Sequence, residues 1–449
     1  MIKKIPPILL ILGSYITLII LGAILLYLPI SYQDNAWHFS DAFFTAASSV
    51  FLSGMTTVDI AVSLTIFGQV VVLLLMQVSA FGIILITIGI FYLLGLKINF
   101  ITRNLASNAV GTQKNKGIIK IVLHIFVFTF IIQLIGFLLY LIIFIPNVDS
   151  LGDAIFYSLF TSVSAFSNTG FNIIPPDISS SLNYFNNNVL YLIITGFLVI
   201  LGGIGIFVID DLILVRNPKK WQPHTKVVLK MTGILLILGA LIIWISELHN
   251  DNVSFLTALF LSITSRTAGI SVIPITTLTS PSLVIICTLM VIGGAPSSNA
   301  GGIKVTTLYV LLKSITGYLK NKPAMTNKKI IGSDSKQKAY VLVVLSAIVV
   351  LIGIFLIGII ESLLNNNLVG DGYYGLGIII FEVLSAFSTS GYSTGLTQFL
   401  NFGSLIILII LMMFGRLGPI ALLSVFGKYK KIEYKKDTVA YLEEKIVIG

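Results

Sequence analysis

Cysteine and histidine are scarce in this chain of 449 residues. Cys287 is the single cysteine and lies in an apolar run, which excludes an intramolecular disulfide and a cysteine metal site. The four histidines, His38, His124, His224 and His249, have no metal-ligand spacing. A Ser/His/Asp grouping and a nucleotide-binding loop are also missing, so the sequence disfavours a membrane enzyme.

Charge is equally scarce. Charged residues make up 10% of the chain and hydrophobic residues 56%, and the mean hydropathy is +1.01. This composition indicates an integral membrane protein. The first apolar run continues without a clear cleavage site, so we interpret it as a retained span and not as a signal peptide. Runs of roughly 20 apolar residues, enough to cross a bilayer as helix, occur near 7–30, 64–95, 118–145, 188–215, 228–246, 339–361 and 403–426, and an interrupted run covers 281–315.

Basic residues occur in alternate connections. They cluster at Lys3 and Lys4 and in 97–120, 216–230, 313–338 and 428–445, whereas the other connections hold only Arg266. By the positive-inside rule, both termini and every basic loop are cytoplasmic. The net charge of +10 therefore reflects topology and does not indicate nucleic-acid binding. Contact of the tail "KYKKIEYKK" with membrane lipids remains an open alternative.

The predicted outer connections share one anatomy. Each has a stretch of helical character, too short to cross the bilayer at about 12–15 residues, then a polar phrase that ends in glycine, then a span. The glycines are Gly54, Gly170, Gly269 and Gly391, and the phrases "SAFSNTGFN" and "SAFSTSGYS" are nearly identical. A short segment that enters the membrane and returns must be enclosed by protein or line water. We therefore predict four internal repeats in one orientation around an axis along the membrane normal.

The predicted fold class is an all-α membrane protein with four tandem repeats of span, re-entrant pore helix and span around a central ion pore. The second span of the third repeat is interrupted by "GGAPSSNAGGIKVTT" at 293–307, where glycine pairs and a proline prevent regular helix. We expect only this second span to be clearly broken, and its loop either gates the pore or serves packing alone. The predicted boundaries are 1–98, 99–217, 218–325 and 326–430 for the repeats and 431–449 for a C-terminal tail.

The phrases offer carbonyl and hydroxyl oxygens without formal charge. Such ligands suit a weakly hydrated monovalent cation, which must bind well enough to lose water and loosely enough to leave. Taken singly, each phrase could be an ordinary glycine turn. Four at equivalent topological positions favour a shared site for an ion.

Charged residues inside the predicted membrane region suggest support for this site. A guanidinium in a cation pore would repel the ion, so Arg266 should point behind its phrase, toward backbone carbonyls or a carboxylate. We hypothesise that Arg266 pairs with Glu382 of the fourth repeat. Lys304 lies near the inner end of the interrupted span. Arg416 either forms a barrier or holds the loop, or it extends to the interface.

These motifs resemble the Trk/Ktr/HKT superfamily of cation transporters over the whole chain. The resemblance rests on "SNTGF", "SRTAGI", "STSGY", "GGIKVTT", "FGRLGP" and the terminal "EEKIVIG", and it is strongest to the membrane subunit of bacterial Ktr potassium uptake systems. Two departures are "QVSAFG" at 77–82, in place of a glycine-rich phrase, and "PSSNA" at 296–300, in place of a loop of Gly, Ser and Thr.

The resemblance implies potassium uptake at the plasma membrane. Gly54 in the first phrase favours K⁺ over Na⁺, although a sodium-permeable relative and uptake assisted by Na⁺ remain alternatives. The implied K⁺-binding filter residues are Leu52, Ser53, Gly54, Asn168, Thr169, Gly170, Thr267, Ala268, Gly269, Thr389, Ser390 and Gly391. The implied gate residues are Gly294, Ala295, Pro296, Ser297, Ser298, Asn299, Ala300, Gly301, Gly302, Lys304 and Arg416.

The resemblance also implies partners. Such subunits form homodimers, to which residues 437–449 would contribute, and bind a cytosolic ring of regulatory subunits that takes ATP or ADP. This chain has no Gly-rich dinucleotide fingerprint, so a nucleotide would bind the partner and no organic cofactor is expected here. A symporter with inverted repeats is a further alternative, but the charge pattern gives all four repeats one orientation.

Overall fold

A computed structural model describes residues 7–33, 37–82, 118–175, 182–215, 217–326, 329–364 and 375–423. The predicted C-terminal tail, 431–449, and most of the basic segment 97–120 lie outside these residues, as do Lys3 and Lys4. The described chain is mostly helical, and its helices follow the predicted order of span, short re-entrant helix and span. The predicted repeat boundaries themselves remain predictions.

The first repeat contains the span α1 (Pro7–Leu26), the re-entrant helix α2 (Phe39–Phe51), the single turn α3 (Ile60–Ser63) and the second span α4 (Ile66–Phe81). Asp41 begins α2 as part of a capping box with His38, and it also accepts a hydrogen bond of 2.6 Å from the Thr57 hydroxyl. Because this carboxylate is used for capping, it stabilises the entry into α2.

The second repeat contains the span α5 (Ile118–Phe144), the re-entrant helix α6 (Leu151–Ser167), the short α7 (Leu182–Asn187), and a second span split into α8 (Val189–Gly203) and α9 (Ile206–Leu214). The axes of the two halves differ by 103°. This span was expected to be continuous, and that prediction is wrong.

The third repeat contains the span α10 (Pro223–Ser246), the re-entrant helix α11 (Phe255–Ser265), and a second span divided into α12 (Ser280–Val291) and α13 (Val305–Leu319). The segment between them, residues 292–304, has no helix, as predicted; we call it the third-repeat loop.

A two-stranded ribbon leads into the fourth repeat. The first span of the fourth repeat is the longest helix described, at 31 residues. Only 17% of its apolar stretch is buried within the chain, as expected of a helix that faces lipid. The elements are β1 (Met325–Thr326), β2 (Lys329–Ile330), the span α14 (Ser333–Leu363), the re-entrant helix α15 (Gly375–Ser388), α16 (Phe402–Leu417) and α17 (Pro419–Leu423).

Three second spans have a glycine in the same non-helical conformation next to a helix end. Gly82 ends α4, Gly205 precedes α9 and Gly418 separates α16 from α17, with φ of 76°, 86° and 87° and ψ of 133°, 147° and 137°. A side chain would disfavour this region, which glycine enters freely. The second spans of the second and fourth repeats are therefore interrupted as well, and the expectation that the third alone is broken is wrong.

Carboxylates cap second spans in two repeats. Glu247, at the end of α10, accepts hydrogen bonds from the Thr279 amide at 2.7 Å and from the Ser282 hydroxyl at 2.5 Å. Glu361, near the end of α14, accepts from the Asn401 amide at 3.1 Å and the Ser404 hydroxyl at 2.5 Å. Each carboxylate satisfies free donors at a helix N-terminus, which fixes the outer ends of the two spans together.

Candidate functional site

The re-entrant helices direct their C-terminal ends at the glycine phrases. Leu52, Asn168 and Thr389 follow α2, α6 and α15 in the left-handed region, with φ of 56°, 57° and 50°. In each case the next amide turns back to a carbonyl five residues earlier, as from Ser53 to Ser48 at 2.8 Å, which is a Schellman-type ending. The C-terminal end of a helix carries partial negative charge, which favours a cation.

The third phrase ends its helix differently. Arg266 follows α11 in right-handed helical conformation, and the amides of Thr267, Ala268 and Gly269 all donate to the carbonyl of Thr264. The left-handed residue is Gly269 itself, with φ of 58°, compared with 81° to 87° at the other three glycines. In the third phrase the first left-handed residue therefore comes two residues later than in the other three phrases.

The four phrases close into a ring. Each glycine lies so near the carbonyl oxygen of the residue before the next phrase's glycine that an added Cβ would come within 3.0 Å of it. The contacts run in cyclic order through all four repeats and return to the first. The pairs are Gly54 with Thr169, Gly170 with Ala268, Gly269 with Ser390 and Gly391 with Ser53.

The ring presents uncharged oxygen. The side chains of the phrases are buried, and the hydroxyls of Ser53 and Thr389 have no hydrogen-bond partner among the described residues. A buried hydroxyl without a partner costs free energy unless a ligand or water satisfies it. Among the described residues, no cluster of His, Cys, Asp or Glu could hold a metal ion. The available ligands are therefore those that suit a monovalent cation.

Glu382 braces the segment after the fourth phrase. Its carboxylate, 1% exposed, accepts hydrogen bonds from the Ser393 hydroxyl at 2.8 Å, the Thr394 amide at 2.7 Å and the Thr397 hydroxyl at 2.7 Å. These donors satisfy a charge that would be costly to bury alone. The predicted pairing of Glu382 with Arg266 is wrong, because Glu382 binds donors of residues 393–397 and Arg266 binds backbone carbonyls of the third repeat.

Arg266 joins the third phrase to the third-repeat loop. Its guanidinium is buried and donates to the Gly293 carbonyl at 2.9 Å and to the Ile292 carbonyl at 3.4 Å. Of the two kinds of partner expected for Arg266, backbone carbonyls or a carboxylate, the structure shows backbone carbonyls. Since these carbonyls begin the loop, one side chain connects the ring to the segment beneath it.

The third-repeat loop packs directly against the re-entrant helices. The Asn299 side chain donates to the Phe166 carbonyl at the end of α6 at 3.4 Å, and a Cβ on Gly301 would overlap the Thr389 hydroxyl and the Ser388 carbonyl at the end of α15. The ends of two re-entrant helices, α6 and α15, therefore contact the loop, and they belong to the repeats on either side of its own.

The loop also fits the break in the second repeat. The Ala295 amide donates to the Gly203 carbonyl at 2.9 Å, and the Ile206 amide donates to the Ser297 carbonyl at 3.3 Å. The Asn168 amide group, in the orientation that satisfies its hydrogen bonds, accepts from the Gly203 amide at 3.0 Å. The sharp bend of α8–α9 thus makes room for the loop and supplies its partners.

Two basic side chains hold the tip of the loop. Lys304 donates to the carbonyls of Ala300 and Gly301, and Arg416 of the fourth repeat donates to the carbonyl of Asn299. Three consecutive carbonyls are therefore bound by basic side chains, and of the three alternatives for Arg416 the geometry favours contact with the loop.

The second spans approach the re-entrant helices closely at small residues. A Cβ on Gly202 or Gly415 would overlap the carbonyl of Phe166 or Phe387, so both helices pass close to the backbone. In the first repeat the corresponding residue is Ser79, whose hydroxyl donates to the Val50 carbonyl. The departure "QVSAFG" therefore replaces close glycine packing with a hydrogen bond.

Sequence reasoning assigned no role to Tyr392. Its hydroxyl, next to the fourth phrase, lies 2.6 Å from the Thr264 hydroxyl and donates to the Ile270 carbonyl at 3.1 Å. It links the fourth phrase to the third across their boundary. The only sequence signal was the tyrosine immediately after Gly391.

A helical membrane chain whose four repeats close a ring of uncharged oxygens has the architecture of a cation transporter. The chain matches the profile of the TrkH family, described as a cation transport protein, over residues 14–432, and it belongs to that family. It is therefore a transport protein and not an enzyme.

Full-length relatives agree with this assignment. The chain is 34% identical to the Ktr system potassium uptake protein B of Bacillus subtilis, with 94% of this chain and 93% of the relative covered. It is 32% identical to the potassium/sodium uptake protein NtpJ of Enterococcus hirae, with 100% and 98% covered. The crystal structure of the potassium transporter TrkH from Vibrio parahaemolyticus superposes with a TM-score of 0.70 at 18% identity, covering 95% of this chain and 86% of that one, which supports the fold.

Proposed function

We propose that this chain takes up K⁺ across the bacterial plasma membrane through the ring of glycine phrases. The observation that carries the proposal is the cyclic contact of Gly54, Gly170, Gly269 and Gly391 with carbonyls of the neighbouring phrases. Carbonyl oxygens at the negative ends of four helices can replace the hydration shell of a monovalent cation without binding it too tightly.

In this proposal the filter residues are those of the four phrases, 52–54, 168–170, 267–269 and 389–391. The third-repeat loop acts as the gate, because residues 294–302 lie against two re-entrant helices and are held by Lys304 and Arg416. Arg266 and Glu382 are positioning residues. Arg266 fixes the base of the loop, and Glu382 fixes the chain after the fourth phrase.

The proposal extends to the assembly. The relatives of Bacillus subtilis and Vibrio alginolyticus are named as components of Ktr systems, which supports a regulatory subunit as partner. We propose a homodimer that binds a cytosolic ring of subunits carrying ATP or ADP, with both termini cytoplasmic as the distribution of Lys and Arg indicates.

Sodium remains the second candidate ion. One relative is named a potassium/sodium uptake protein, so Na⁺ either permeates or assists K⁺ uptake. Glycine at position 54 favours K⁺, because a side chain there would enter the space beside the Thr169 carbonyl and change the ring.

The test is ⁸⁶Rb⁺ and K⁺ uptake, with Na⁺ competition, in a potassium-transport-deficient bacterium that expresses this chain with a Ktr-type regulatory subunit. We expect K⁺-selective uptake by the wild type and loss of selectivity in Gly54→Ser and Gly391→Ser. Gly395→Ser is the matched control, since Gly395 also has positive φ, at 93°, but open space around a new Cβ. Equal behaviour of Gly391→Ser and Gly395→Ser would show that backbone strain, and not the ring contact, causes the loss. A folded wild type that transports no K⁺ would refute the assignment.

A further inference from the structure

A cavity of about 360 Å³ lies beside the third-repeat loop, as bounded by the described residues. Its walls are α5, the bend between α8 and α9, and the loop itself. Most of the lining is apolar, including Phe128, Leu201, Ile206 and Ile209. The volume falls in the range of about 300–1,000 Å³ that is usual for small-ligand sites, which are mostly apolar with a few polar groups.

One wall of the cavity is the loop. Ser297, Ser298 and Asn299 line it, together with Phe166 at the end of α6. Asn299 is also the residue whose side chain donates to the Phe166 carbonyl and whose own carbonyl is bound by Arg416. An occupant of the cavity would therefore touch the loop where it meets the re-entrant helix.

His124 and Asp210 also line the cavity and form a polar pair between α5 and α9. His124 Nδ1 lies 3.7 Å from Asp210 Oδ1 on α9, and the two side chains are 41% and 22% exposed. The ligand should accordingly be amphiphilic, with a long apolar part and one polar end near this pair.

The rim of the cavity continues the apolar surface of the spans. Val127 and Ile131 on α5 and Ile213 on α9 line the cavity and are 58%, 50% and 58% exposed. Further along α5, Leu134 belongs to the same outward face and is 57% exposed. In a membrane-spanning chain this face meets acyl chains, so the cavity is continuous with the surface that contacts lipid.

We propose that this cavity binds one acyl chain of a membrane phospholipid, which contacts Ser297–Asn299 and has its polar end near His124 and Asp210. The binding does not depend on the transported ion, and its test measures lipid. Failure of the test therefore leaves the proposed function untouched.

The experiment compares lipid that remains on the full-length protein after exhaustive washing in detergent, identified and counted by mass spectrometry. Ile209→Trp fills the cavity, whereas Leu134→Trp places the same side chain on the outward face of α5. We expect wild type and Leu134→Trp to retain about one phospholipid per chain more than Ile209→Trp. Equal retention by all three proteins would overturn the proposal, and retention of a free fatty acid in place of a phospholipid would overturn the named source.

A second measurement needs no variant, should Ile209→Trp fail to fold. The wild type is prepared with phospholipid brominated on the acyl chain, and the bromine positions are located by anomalous diffraction. Bromine between α5 and the loop is the expected result. Bromine only on the outer surface of the spans would contradict the site.

Discussion

The ring of glycine phrases and the third-repeat loop beneath it differ in symmetry. All four repeats contribute equivalent contacts to the ring, each glycine against the next repeat's carbonyl. The loop belongs to one repeat, yet it touches the ends of α6 and α15 and is held by Arg416 of the fourth repeat. This difference fits the proposed roles, because a filter that surrounds an ion benefits from equivalent ligands, whereas a gate needs only one copy.

The supports of the two regions differ accordingly. Glu382 is fixed within its own repeat by the segment that follows its phrase. The loop is held at its base by Arg266 and at its tip by Lys304 and Arg416, all through backbone carbonyls. Hydrogen bonds from long side chains to backbone carbonyls can exchange partners, so under the proposed gating the loop would move while the ring stays in place. Three predictions test this comparison, and a fourth concerns the outer caps of the spans.

The largest effect should come from breaking the ring's support. Glu382→Ala removes the acceptor of four hydrogen bonds, from Ser393, Thr397 and both donors of Thr394. Charge-assisted bonds contribute about 1.5–3 kcal/mol each, and some donors will find other acceptors, so we expect a loss of about 5 kcal/mol in unfolding free energy. Thermal unfolding in detergent measures it. Glu382→Gln keeps an acceptor oxygen and should be milder; equal losses would show that volume, and not hydrogen bonding, sets the cost.

Breaking the connection between the two regions comes next. Arg266→Gln removes the donors to the Ile292 and Gly293 carbonyls, with an expected cost of about 3 kcal/mol for two charge-assisted bonds. Because the base of the loop is then free, ⁸⁶Rb⁺ flux without the regulatory subunit should rise. Arg266→Lys retains a charge but not the forked donor geometry. Its stability and its flux should therefore lie between those of the wild type and Arg266→Gln. A variant that loses stability while its flux remains regulated would show that Arg266 only supports the fold.

A smaller change sharpens the comparison at the tip of the loop. Asn299→Ala removes one long hydrogen bond, 3.4 Å to the Phe166 carbonyl, so the stability cost should stay below about 1 kcal/mol. We expect flux in proteoliposomes to rise. Ser298→Ala is the control, because that hydroxyl donates within the loop, to the Ala295 carbonyl at 2.7 Å. If both variants raise flux equally, contact with α6 is not what holds the loop.

Much of the ring could be predicted from the sequence, because glycine phrases recur at equivalent topological positions and can be identified from the residues alone. The interrupted span of the third repeat was also predictable, since Pro296 and paired glycines cannot continue a helix. The break at Gly205 was not, because glycines in a span also serve close helix packing, and Gly202 in the same span does so. The bend of 103° depends on the loop that fills it.

The partner of Arg266 could not be predicted for a different reason. A sequence identifies side chains, and Glu382 was the acidic residue predicted to lie well inside a re-entrant helix of the adjacent repeat. The actual acceptors are the carbonyls of Ile292 and Gly293, which any residue would supply, and they become visible only when the loop is placed against α11. The same holds for Ser79, whose role depends on the carbonyl of Val50.

The smallest expected effect concerns pH and the outer caps, away from both regions. Burial opposes ionisation of Glu247, but hydrogen bonds from Ser282 and Thr279 outweigh it and hold the pKa of this carboxyl below its usual range. Because the pKa is lower in the folded chain, the stabilisation is present above the unfolded value of about 4.3 and is lost as pH falls through the folded value. The unfolding temperature of the wild type should thus fall more steeply on acidification below about pH 5 than that of Glu247→Gln, while Asp251→Asn, which removes an exposed charge nearby, should follow the wild type. Parallel curves for wild type and Glu247→Gln would show that the cap of α12 stabilises without its charge. K⁺ uptake by the two proteins should be equal, because Glu247 lies away from the ring and the loop.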